Sequence, residues 1–202
     1  MLFKPLNDSQ WIDRWLKAFP TARAIWLYRD YHDVAASAVR KWGSHQREVV
    51  KEIARGRLNQ LGWRGERLSD ETLAIVNRLY TDDLSDIAAA AIKWHVRNQL
   101  FFELGLDRIP RVLVVKYEEL ATEPARAFPR LFHALGTPYD SQFVANVFSS
   151  SVGRNREIEL PPEVRRVCDQ LLERLDRVYR TQQLGLSKGI PVETSSTLAG
   201  SH

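Results

Sequence analysis

An α/β domain built on a small parallel sheet is what this sequence predicts, on three observations. Two short apolar runs, residues 24–28 (Ala-Ile-Trp-Leu-Tyr) and 111–115 (Arg-Val-Leu-Val-Val), have the length and composition of buried strands. The segments between and beyond them carry apolar residues at helical spacing, so the strands are joined by crossovers rather than hairpins. The composition, 44% hydrophobic and 27% charged over 202 residues, suits one globular domain with a sizeable core.

Each element has its own local argument. In residues 8–19, Trp11, Ile12, Trp15, Leu16 and Phe19 form one stripe, with Asp8 or Ser9 as the N-cap and Pro20 as the stop. After the first strand a helix is expected from about Asp33, with Val34, Ala38 and Trp42 inward. Residues 56–69 hold three glycines without a period and read as loop. Ser69-Asp70-Glu71 opens a helix whose acids suit the positive end of the dipole. A longer helix covers residues 83–104 and stops at Gly105, and the second strand follows. Pro124 begins a helix closed by Gly136, and Pro161-Pro162 begin the last one, through about Gln183. The apolar face of that last helix is Val164, Val167, Cys168, Leu171, Leu172, Leu175 and Val178, which makes Cys168 a core residue. Both strands are apolar enough to be buried on both faces. One domain over residues 1–186 and a weakly patterned, frayed tail over 187–202 complete the division.

Charge and cysteine usage remove several function classes. The formal charge is +4, and basic and acidic residues are interleaved, which argues against a nucleic-acid partner. Arginine outnumbers lysine by 22 to 7, a bias suited to phosphate or carboxylate recognition. The single cysteine excludes an internal disulfide, and no apolar stretch is long enough for a bilayer span, so a cytoplasmic protein is expected.

The strongest chemical signal is the run from Tyr28 to Ser37. A buried strand ends in Arg29, and a helix begins a few residues later; in open α/β sheets ligands bind at this edge. With Asp33 as the cap, Ser37 falls at the end of the first turn, where Arg29 and the serine hydroxyl converge on one phosphate. The competing reading is a surface arginine paired with Asp30 or Asp33.

These residues resemble the sulfotransferases that use 3′-phosphoadenosine 5′-phosphosulfate (PAPS). Residues 19–30, continuing to Asp33 and Ser37, look like the family's 3′-phosphate-binding segment. Residues 114–124, with Lys116-Tyr117-Glu118-Glu119-Leu120 and Pro124, resemble its Tyr-Glu-Asp-Leu…Pro segment. Residues 131–139 then look like the helix and turn that follow. Ser151-Val152-Gly153-Arg154 is similar to the loop that returns an arginine to the 3′-phosphate. The likeness runs from Lys4 to about Leu175.

The resemblance implies a helix-rich, three-layer P-loop-like sulfotransferase fold with a parallel sheet. It implies PAPS as cosubstrate, no metal, and a small-molecule or glycan acceptor for the sulfuryl group. Arg29, Ser37 and Arg154 would hold the 3′-phosphate, Tyr117 would face the adenosine, and Lys4 would assist transfer. Leu6 stands where cytosolic members carry a catalytic histidine, which leaves His32, His45, His95 and His133 as candidate bases by residue type. Residues 43–80, with Trp42 and Trp63 in or beside them, are the expected acceptor region. The family's opening strand, Gly-Thr-Thr loop and helix precede the position of Lys4, so the chain reads as N-terminally truncated and as weakly active or inactive by itself. The strand edge left by that unit predicts either direct closure of the sheet or self-association through the exposed edge. A small-molecule kinase would need a Gly-x-x-x-x-Gly-Lys loop and Mg²⁺ ligands, and the sequence has neither. The alternative is a non-catalytic protein that binds a nucleotide 3′-phosphate or a partner chain.

Overall fold

A computed structural model describes residues 8–155 and 157–187, with side chains to residue 184. Its two strands, β1 (Ala24–Tyr28) and β2 (Val112–Lys116), are adjacent and parallel. Ala24 lies opposite Val112 and Tyr28 opposite Lys116. The direct pairing leaves no strand position open between them.

The helices are α1 (Ile12–Ala18), α2 (Tyr31–Trp42), α3 (His45–Ala54), α4 (Asp70–Leu79), α5 (Asp86–Glu103), α6 (Tyr117–Thr122), α7 (Pro124–Leu135) and α8 (Pro162–Ser187). Their ends follow the local chemistry. Ser69 Oγ accepts from Thr72 N at 3.1 Å to open α4, and Ser85 Oγ accepts from Ala88 N at 3.3 Å to open α5. Gly136 closes α7 in the left-handed region at φ 68°.

The core forms around α5, which is buried on nearly every side and packs against α2, α3 and α8. Trp26 from β1 meets Phe101 at 5.6 Å and donates its indole N–H to Asn98 Oδ1 at 3.2 Å. Helix α8 is tied to the sheet and α2 through acids: Tyr28 donates to Asp176 at 2.5 Å, Lys116 to the same oxygen at 2.8 Å, and Tyr31 to Asp169 at 2.7 Å. Gln182 finishes the outer edge of β2. Its Oε1 accepts from Val114 N at 2.8 Å and its Nε2 donates to Val112 O at 3.0 Å, so one carboxamide meets the edge as a neighbouring peptide would.

Several expectations need correction. Strand β1 is not buried on both faces: Ile25 is 36% and Leu27 53% exposed. Their register partners Leu113 and Val115 line one cavity with the α7 residues Leu131 and Ala134, and no residue of β1 lines it. Helix α2 starts at Tyr31 rather than Asp33, because Asp30 is its cap and accepts from His32 N at 2.8 Å. Trp42, the last residue of α2, is 52% exposed with the Lys41 ammonium 4.9 Å from its ring centre. In the first helical segment only Ile12 and Leu16 of the five stripe residues are buried, and neither Asp8 nor Ser9 caps it through a side chain. The opening turn, 9–11, is 3₁₀. Helix α3, which the sequence reading passed over, buries Val49, Val50 and Ile53. Residues beyond 187, where the tail was expected, lie outside the described part.

Candidate active site

The carboxyl end of β1 delivers Arg29 to a junction of three segments. Trp94 of α5 fixes the backbone there, donating its indole N–H to Arg29 O at 2.8 Å. The guanidinium lies over the Tyr117 ring at 4.5 Å, donates to Ser151 O, and pairs with Asp33 at 3.3 Å. Tyr117 is the first residue of α6, directly after β2, and its hydroxyl is 3.2 Å from Ser151 Oγ. One arginine thus gathers the two strand ends and the loop before α8.

Asp33 organises that loop. Its buried carboxylate accepts from Gly153 N at 2.7 Å, Asn155 N at 3.2 Å and Asn155 Nδ2 at 2.9 Å. Burial alone would raise its pKa, but the Asn155 and Gly153 hydrogen bonds and the Arg29 charge hold it below the ordinary carboxylate range. Gly153 has φ 69°, a conformation that side-chain-bearing residues rarely adopt, and this turns its N–H onto Asp33. Arg29 is thus paired with Asp33, as the competing reading had it, and it stands directly after the carboxyl end of β1. Its Nε is buried and has no hydrogen-bond partner among the described residues.

The other expected residues fall as follows. Ser37 is partly buried on α2, two turns in rather than at the end of the first, because the helix begins at Tyr31. Arg154 is exposed, on the loop that Asp33 holds. Lys4 lies outside the described residues. Of the histidines, His32 adjoins Arg29: its Nδ1 is 2.8 Å from Asp30 Oδ1, its ring stacks on Tyr31 at 3.9 Å, and its Nε2 is buried without a partner. His45 and His133 are exposed on α3 and α7. His95 is buried and lines a groove formed by α4, α5 and α8, where burial above all, with a smaller part from the charge of Arg174, pushes its pKa down to about 4. It is a buried histidine of the core. Cys168 is fully buried, with its thiol pushed up by burial and the charge of Asp169.

Sequence reasoning missed Asp33 as the tether of residues 153–155, and it missed Ser151 and Asn155. An acid inside the first turn of a helix looks like a dipole partner. The donors it collects are mostly backbone N–H groups, which no residue type announces. The only available signal was the adjacency of Asn155 to Arg154.

A family model described as "Sulfotransferase family" matches residues 3–141. The chain belongs to the sulfotransferase family. The matched segment takes in β1, α2, β2 and α6, hence Arg29, Ser37 and Tyr117, while the loop with Ser151 and Arg154 lies beyond it and is joined to the Arg29 junction by Asp33 and Arg29. Neither the curated proteins nor the solved structures contain a significant match to the chain. No described helix of this sulfotransferase is long and apolar enough to cross a membrane.

Proposed function

We propose that this sulfotransferase binds PAPS through its 3′-phosphate and transfers the sulfuryl group to a hydroxyl or amine of a small-molecule or glycan acceptor. The observation that carries the reading is Arg29. It is held at the strand edge by Asp33, Ser151 and Tyr117, and its buried Nε is still without an acceptor. A phosphate oxygen supplies that acceptor, and the guanidinium, already fixed, loses little freedom on binding. Ser37 and Arg154 complete the phosphate site, and Tyr117 offers a ring face to the adenosine. Lys4 stabilises charge on the sulfuryl and bridging oxygens.

The bound cosubstrate supplies an activated sulfuryl group on a phosphate leaving group. In the displacement the acceptor atom forms a bond to sulfur, the bond from sulfur to the bridging oxygen breaks, and adenosine 3′,5′-bisphosphate departs with that electron pair. The acceptor's proton must leave to a base. His32 is the histidine beside the site, and Asp30 orients it by accepting from Nδ1, which leaves Nε2 as the basic atom.

Calorimetric titration with adenosine 3′,5′-bisphosphate tests the phosphate half-site. Wild type should bind, and Arg29→Ala should weaken binding about tenfold or more, as expected for loss of a charge-assisted contact worth ~1.5–3 kcal/mol. No binding by wild type at millimolar ligand would overturn the reading. A radiolabelled PAPS assay across phenols, sugars and amines tests transfer separately.

A further inference from the structure

A second group of cations lies around Trp63. Lys93 is on α5, is only 8% exposed, and has a buried Nζ with no hydrogen-bond partner among the described residues. One turn along, Arg97 donates to Ser9 Oγ through Nη2, while its Nη1 is likewise buried and unpartnered. Arg64 comes from the 3₁₀ turn 58–64. All three face the same ring: the distances to the Trp63 centroid are 4.6 Å for Arg64, 4.9 Å for Arg97 and 5.6 Å for Lys93.

The turn that carries Trp63 and Arg64 is firmly built. A Cβ on Gly65 would stand 2.6 Å from Leu58 O, so the backbone approaches itself as closely there as glycine allows. Glu66 accepts from Gln10 Nε2 at 2.7 Å and Trp11 Nε1 at 3.0 Å, and Arg67 makes a fork onto Asp13 at 2.5 and 2.9 Å. Glu66 is the acid whose charge reaches Arg97, and its oxygen Oε2 is already engaged by Gln10 and Trp11.

Three cations brought together, two with buried and unused donors, are unfavourable by themselves. A buried ammonium without a partner costs several kcal/mol, and a ring face offsets only part of this. The group responds by giving up its proton more readily: burial first, then Arg97 and Arg64, push Lys93 well below the ordinary lysine range. An arrangement so costly without an anion becomes favourable with one, because an oxyanion satisfies the idle donors and neutralises the repulsion together.

We propose that Lys93, Arg97 and Arg64, with Trp63 as a wall, form a second binding site for a compact oxyanion, distinct from the Arg29 site. Trp63 and Arg64 are partly exposed, while Lys93 is buried behind the surface. The ligand is a sulfate, phosphate or carboxylate group, free or carried by a small molecule. Trp63 and Arg64 lie in the stretch expected to meet the acceptor, so an acceptor bearing an acidic group is one carrier. The assignment itself rests on the cations and not on the PAPS reading.

The test is thermal unfolding and calorimetry of the whole chain with sodium sulfate, inorganic phosphate and sodium acetate, each against sodium chloride at matched ionic strength. Wild type should gain stability saturably with at least one oxyanion, beyond the chloride control. Lys93→Met should raise the dissociation constant about tenfold or more, and Arg97→Gln, which keeps the lysine, should do the same if the methionine variant fails to fold. Comparing the three anions with a phosphate monoester and benzoate shows whether the carrier is an inorganic ion or an organic acid. Arg29→Ala should leave this effect intact while losing adenosine 3′,5′-bisphosphate, and Lys93→Met should do the reverse, so the two sites fail separately. No gain over chloride in wild type, or the same gain in both Lys93→Met and Arg97→Gln, would overturn the proposal.

Discussion

Replacing Asp33 by alanine should loosen the candidate active site more than any other single change around it. The carboxylate accepts three hydrogen bonds from Gly153 and Asn155 and pairs with Arg29 at 3.3 Å. A hydrogen bond to a charged group contributes about 1.5–3 kcal/mol, and removing one partner of a buried pair costs about 3–5. Two features reduce that figure. The Arg29 side chain is 21% exposed, so water recovers part of its solvation, and the donors on residues 153 and 155 are only partly buried. The net loss should be about 3 kcal/mol. With a urea m-value of ~2–3 kcal/mol/M, the unfolding midpoint should fall by about 1–1.5 M. Native-state hydrogen exchange gives a local reading of the same event, since the amides of Gly153 and Asn155 should lose protection while those at the centre of α5 keep theirs relative to global stability. A double-mutant cycle with Asn155→Ala should return a coupling of about 1–2 kcal/mol. A variant within ~0.5 kcal/mol of wild type, with the Gly153 amide still protected, would refute the idea that Asp33 holds the loop.

Two further outcomes follow from buried titratable groups. The His95 pKa falls from 6.5 to about 4 on folding, so between those values the unfolded chain binds more protons and stability declines as pH falls. The full contribution is present above about pH 6.5; roughly 3 kcal/mol of it should disappear by pH 4, and His95→Phe should lack this part of the pH dependence in urea titrations at each pH. The Cys168 thiol is buried, donates to Ala91 O at 3.5 Å and is pushed up by its surroundings. It should therefore stay unmodified by a thiol reagent in the native protein and react fully in urea, and rapid modification without denaturant would contradict its placement.

The elements most legible in the sequence were those in which local chemistry and tertiary packing agree. The strand at residues 24–28 is found with its expected limits, and the second is displaced by one residue, because short apolar runs have little alternative to a sheet. Helices α4, α5 and α7 carry caps or closing glycines and α8 opens at the Pro161-Pro162 pair, and they were recognisable from these. Helix α3 was not, since its three buried residues are spread through a run of charges. In the site, Arg29 came from its place at the end of a buried strand and Tyr117 from the family resemblance, and the structure places them in contact. The role of Asp33 depends on a loop 120 residues away, and a separation that large leaves no periodic trace. Lys93 and Arg97 were hidden for another reason. They belong to a helix buried all round, in which charged positions could not be told from a solvated face by sequence alone.

The contact between Gln182 and β2 has a consequence for the order in which the molecule is completed. The groups it seals, on Val112 and Val114, precede it by 70 and 68 residues. A chain emerging from the ribosome can pair its two strands once residue 116 is free, yet it must wait for most of α8 before the far side of that pair is closed. Throughout that interval the nascent sheet carries an open N–H and C=O on a Val-rich strand, the kind of surface that recruits stray segments of other chains. Delaying or weakening the docking of α8 should therefore show first as lower soluble yield, before any loss of stability in the finished protein.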